Sequence, residues 1–215
     1  MTDADRDVLA LIRYIIIQTA RDGELELVGR SDDDLRDSIR FLMRKLAASG
    51  WRAVMQSEHQ PSLTRAAERF VQEDDASLAI VMYSTAVEHW LNGMIEVGLK
   101  RRGEVLDPES EKGNLTHKLT TRWNELFSTP VPDDLMASIH TLARARNDFV
   151  HYKWPMHSET EHDAHESTSS ALAHDAPRLL AALKDLEDSI VFDGARAQLD
   201  RVLDDMELFD TDSTG

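Results

Sequence analysis

The chain has 215 residues, 41% of them hydrophobic, enough for one large domain or for one domain with an appendage. It carries 24 Lys and Arg against 40 Asp and Glu, a formal net charge of −16, and no cysteine. Those values exclude a disulfide framework, thiolate catalysis and a thiolate metal site, and they argue against a general nucleic-acid coat protein. The acidity is uneven. Residues 154–215 hold 4 basic against 15 acidic residues, whereas residues 100–153 hold 9 against 8 and so permit a local anion site.

Apolar residues recur mostly at helical spacing, and alternating runs are scarce. Val8, Leu9, Leu11, Ile12 and Ile15 to Ile17 predict a first helix over about 4–20. Its apolar run is broken by Arg13, is shorter than the ~20 residues of a bilayer span, and lacks a signal-peptide layout. It is read as a core-facing helix, with no membrane partner and a cytoplasmic location expected. GELELVG (23–29) suits a short extended piece. Ser31 is an expected N-cap, with Asp32 to Asp34 complementing the dipole of a second helix. The stripe Leu35, Ile39, Leu42, Met43 and Leu46 faces its core, and Gly50 ends it. SEHQPS (57–62) reads as a linker.

A helix near 63–73 precedes a long one over 76–102, where Ile80, Tyr83, Val87, Trp90, Leu91 and Met94 make a broad apolar face. LDPESEKGN (106–114) is turn-rich, and a helix follows over 115–127. TPVPDD (129–134) marks a stop and a new start, and a helix over about 133–152 follows, with Leu135, Ile139, Leu142 and Phe149 or Val150 facing inward. MHSETEHDAHESTSS (156–170) reads as a mobile loop or frayed helix start. Helices over 171–190 and 193–208 and a disordered tail at 209–215 complete the chain. Six of the nine histidines lie between 140 and 174. His162 and His165, with nearby acids, could take up zinc or nickel adventitiously, but a solvated loop is the preferred reading, and no metal or cofactor is expected. No glycine-rich phosphate loop, nucleophile elbow or zinc-protease signature occurs.

The chemistry-bearing stretch is RNDFVH, Arg146 to His151. At about 100° per residue, Asn147 and His151 lie about 40° apart on a helix, with Arg146 about 140° from His151 but long enough to swing round. One segment thus supplies a cation, an amide and a titratable base. Cleavage of RNA by its own ribose needs these groups. The 2′-OH must lose a proton and the 5′-oxygen must gain one, both within reach of a histidine. A guanidinium can hold the phosphate by two hydrogen bonds and stabilise its developing charge. The plain alternative is a surface arginine paired with an acid such as Asp148 beside a half-buried His151.

The long helix AIVMYSTAVEHWLNGMI (79–95), LTHKLTTRWNELF (115–127) and LARARNDFVHYKW (142–154) together resemble the HEPN family of helical ribonuclease and nucleotide-binding domains. The resemblance covers roughly residues 63–190. It implies an all-α bundle of four to five helices over 63–208, with residues 1–57 as an N-terminal helical appendage. It implies a homodimer that joins two motifs in one cleft, and a metal-independent endoribonuclease in which Arg146, Asn147 and His151 are the catalytic set. Glu88, with Asn92 one turn on, would line the cleft. Family members include toxins and defence or stress-response effectors, so a protein antitoxin or regulatory partner is also implied. Other members are catalytically silent modules that dimerise and bind a nucleotide or a protein, which is the alternative for this chain. A third alternative, a transcriptional regulator built on a winged helix-turn-helix in residues 1–57, is disfavoured by Asp32 to Asp34 at the head of its would-be recognition helix.

Overall fold

A computed structural model of the chain describes residues 3–49, 59–105, 114–151 and 159–206. Every regular element among them is helical, so the fold is all-α as expected. The elements are α1 (Asp3–Arg21), α2 (Asp32–Ala48), α3 (His59–Gln72), α4 (Ala76–Arg101), α5 (Leu115–His117), a π-helical turn (Lys118–Arg122), α6 (Trp123–Leu126), α7 (Asp133–Val150), α8 (Glu159–Val191) and α9 (Arg196–Asp205). No described helix is long and apolar enough to cross a membrane. The chain packs as two compact units: residues 1–55 with 187–215, and residues 56–186.

The first unit uses both ends of the chain. Ser31 caps α2 as its residue type requires, because its hydroxyl accepts from the Asp34 N–H at 3.1 Å while the Asp34 carboxylate accepts from the Ser31 N–H at 3.3 Å. Segment 23–29 forms no strand. Leu25 and Leu27 do turn inward, which explains their spacing of two, but from an irregular turn with no ladder partner among the described residues. α2 packs on α9, where Leu199, Val202 and Leu203 are buried. Gln198 donates to the Arg30 carbonyl at 3.0 Å and to the Asp32 carboxylate at 2.8 Å. The bundle expected from the resemblance, over 63–208, included α9. These long-range bonds group it instead with the N-terminal helices.

The second unit is built round α4. The α3–α4 hairpin turns through 73–75, and Asp75 caps α4 by accepting from the Leu78 N–H at 3.0 Å. α3 begins at His59, not near 63, so Ser62 and Pro61 lie inside it. Proline is tolerated there because first-turn N–H groups have no partner within the helix. Thirteen residues of α4 are buried, including Tyr83, Trp90, Leu91, Met94 and Ile95, because α3, α7, α6 and the π turn all pack on it. Trp123, fully buried, lies 5.7 Å from Trp90 and 4.7 Å from Phe127 between ring centroids, and donates its indole N–H to the Thr129 carbonyl at 2.8 Å. Gly98 lets this cluster close on α4, since a Cβ there would stand 2.9 Å from the Leu126 Cβ and 3.1 Å from the Phe127 ring. Of the two readings of 156–170, segment 159–170 is the helix start, the beginning of α8, whose stripe Ser169, Ala173, Ala176, Leu179, Leu183 and Leu186 is buried at spacings of three and four. Gly50, the turn at 106–113 and the tail at 209–215 lie outside the described residues.

Candidate functional site

α4 is covered round most of its circumference but leaves one open stripe: Thr85, Glu88, His89, Asn92, Glu96 and Lys100 at helical spacing. Glu88 and Asn92 are therefore successive rungs on that stripe. α7 packs on α4 with Leu135, Ile139 and Leu142 buried, which sets the rotation of its last turns, whereas Val150, in the last turn, is 47% exposed and does not continue the inward stripe. That rotation places Arg146 against α4. The Arg146 Nη1 lies 3.7 Å from the Glu88 Oε1, an ion pair rather than a close hydrogen bond, and donates to the Asn147 Oδ1 at 3.0 Å. The pair is partly open, with 32% of the Arg146 side chain and 41% of Glu88 exposed. Arg146, Asn147 and Glu88 are thus brought together, and Arg146 is neither buried nor turned away from solvent.

His151 does not lie inside the helix as the 133–152 assignment required. It is the C-cap of α7, with φ −98° and ψ 11°, while its N–H still donates to the Asn147 carbonyl at 3.0 Å. α7 closes its last turn there, so His151 stays one turn beyond Asn147 but points from the rim of the helix end. It is exposed, and its imidazole has no hydrogen-bond partner among the described residues. The Asn147 side-chain oxygen is given to Arg146, not to the histidine.

Asn92 meets a residue that sequence reading passed over. Lys118, the first residue of the π turn, donates its Nζ to the Asn92 Oδ1 at 2.7 Å. A π turn widens the helix by one residue, so a helical wheel drawn over 115–127 misplaces the side chains around it. The interval from Leu119 to Trp123 to Phe127, all buried, was the available signal for which face turns inward.

Comparison with family models, curated proteins and solved structures gives no significant match. Three features of the second unit make up the candidate site: a guanidinium braced by an amide and a carboxylate, an exposed imidazole one turn on along α7, and a lysine–asparagine pair one turn along α4. No cluster of three or more metal-ligating side chains occurs among the described residues, and the side chains of His157, His162 and His165 lie outside them.

Proposed function

We propose that the chain is a HEPN-type endoribonuclease that needs no metal ion and acts as a homodimer, in keeping with a toxin or defence effector. The observation that carries this is the pairing of a half-open, braced guanidinium at Arg146 with an unpartnered imidazole at His151, held by the last turn of one helix. His151 takes the proton of a ribose 2′-OH. The 2′-oxygen then attacks the adjacent phosphorus, the bond from phosphorus to the 5′-oxygen breaks, and that oxygen receives a proton from the His151 of the second copy. Arg146 stabilises the charge gathering on the non-bridging oxygens. Asn147 fixes the guanidinium through its oxygen and keeps its amide N–H groups for the substrate. Glu88 is a positioning residue that holds Arg146 in place before RNA arrives.

One observation favours a second reading. The Arg146 charge is already balanced by Glu88, as suits a silent dimerisation module that binds a nucleotide or a protein partner. Purified full-length protein incubated with single-stranded RNA in EDTA separates the two. The nuclease gives 2′,3′-cyclic phosphate and 5′-hydroxyl ends, lost on His151→Ala and on Arg146→Ala. Cleavage that survives His151→Ala, or that needs added metal, contradicts the mechanism. A monomer by light scattering at micromolar concentration removes the shared site.

A further inference from the structure

The geometry points to Lys118 and Asn92 as a second anchoring subsite, one that holds a neighbouring phosphate of the same RNA strand. It deepens the cleavage reading above and rests on it for the identity of the ligand. Four observations support it.

The first is charge. In a chain with 40 acidic residues, the Lys118 ammonium meets a neutral amide at 2.7 Å and no carboxylate among the described residues. Among the described residues it has no ion-pair partner, unlike Arg146, which faces Glu88.

The second is donor geometry. A lysine carries only donors, so the Asn92 oxygen must face it, and the Asn92 NH2 group is left pointing elsewhere. The pair offers one positive charge and several free N–H groups with no free carboxylate between them, which is the requirement for an anion.

The third is place. Asn92 follows Glu88 by four residues on the open stripe of α4, about 6 Å along the helix axis at 1.5 Å per residue. That suits adjacent phosphates of an extended single strand, with one at Arg146 and the next at Lys118.

The fourth is the backbone. Lys118 opens a π-helical turn, Lys118–Arg122, inside an otherwise α-helical segment packed on α4. Single π turns cost hydrogen-bond geometry and recur at functional sites. Leu119 and Trp123 anchor this one in the core, so Lys118 is delivered to Asn92 by a rigid support.

The test uses the full chain and a single-stranded RNA whose 2′-oxygens are methylated, so that it binds but cannot be cut. Anisotropy is followed against salt. Lys118→Gln removes the charge but can still donate to Asn92. Asn92→Asp leaves the lysine and neutralises it. Each should lower affinity about tenfold at low salt, the scale of one hydrogen bond to a charged group. Each should also flatten the slope of log K against log salt by about 0.7, the value of one phosphate contact on a single strand. With unmodified RNA, KM should rise while kcat holds. A slope unchanged in both variants, with RNA still cleaved by wild type, overturns the subsite and leaves the nuclease standing. Flattened slopes with no cleavage by wild type support the subsite and remove the nuclease. Wild-type protein that does not bind the oligonucleotide overturns both.

Discussion

Both units bury an apolar core, but they use charge differently. In residues 1–55 with 187–215, charged side chains bridge one helix to another. Arg13 of α1 reaches Asp200 of α9 at 2.9 Å and also pairs with Asp204, and Asp32 of α2 accepts from Gln198 and Arg201. In residues 56–186 the helices meet through buried apolar and aromatic groups round α4, and ion pairs such as Lys100–Glu96, Arg122–Glu125 and Arg178–Asp175 join residues three or four apart. The pair Arg146–Glu88 crosses from α7 to α4 in a unit whose assembly does not depend on such bridges. A half-open ion pair of that kind contributes about 0–1 kcal/mol. Its charges contribute little to stability, unlike the more numerous helix-to-helix bridges of the first unit.

The contrast breaks first at Trp123. Replacing it with Ala should cost about 3–5 kcal/mol, because a fully buried ring and two aromatic contacts are lost together. Denaturant unfolding of the variant reads this directly, and a cost below that of a surface substitution would mean the second unit is not held by its aromatic cluster. Gly98→Ala should cost about 1–3 kcal/mol, since the new methyl meets the Leu126 Cβ rather than a pliant side-chain tip.

Acid should separate the units more gently. Burial would push the Asp200 carboxyl up, but hydrogen bonds and charge from Arg196 and Arg13 hold it below the usual carboxylate range. Hydrogen bonds from Gln198 and Arg201 lower Asp32, and those from Ser31 lower Asp34. A carboxyl depressed in the folded state adds stability above its unfolded pKa and loses it as pH falls through the folded one. Amide exchange in α2 and α9 should therefore quicken as pH drops below about 4, relative to the intrinsic rate at each pH, while α4 stays protected. Loss of protection in α4 first would contradict the division of forces.

The helices were legible where a local rule sets them. Ser31 caps α2 because its hydroxyl accepts the Asp34 N–H, and α4 was legible from its long run of apolar residues free of Pro and bounded by Asp75 and Gly103. RNDFVH was legible as a motif from its residue types, while the contact of Arg146 with Glu88 depends on how α7 packs on α4 and is not given by helix pitch. Other features were hidden because they depend on distant residues. Pro61 reads as a break until its place in a first turn is known. α9 reads as the end of the bundle until Gln198 is seen on Asp32 and Arg30. The polar start of α8 carries no apolar stripe before Ser169 to announce it. Lys118 was missed because the π turn departs from the period by which faces are counted. His151 was placed one residue too deep, since the α7 end is fixed by capping and not by periodicity.

The central claim is that the rim at the end of α7 does chemistry while contributing little to stability. The direct measurement is the single-turnover rate of RNA cleavage by wild type and by His151→Ala, with thermal unfolding followed on the same preparations. General acid–base catalysis by one side chain predicts a fall of about 10²–10⁴-fold with an unchanged melting temperature, since the imidazole is exposed and makes no bond among the described residues. Equal rates in the two proteins, or a rate lost only in step with the fold, would contradict it.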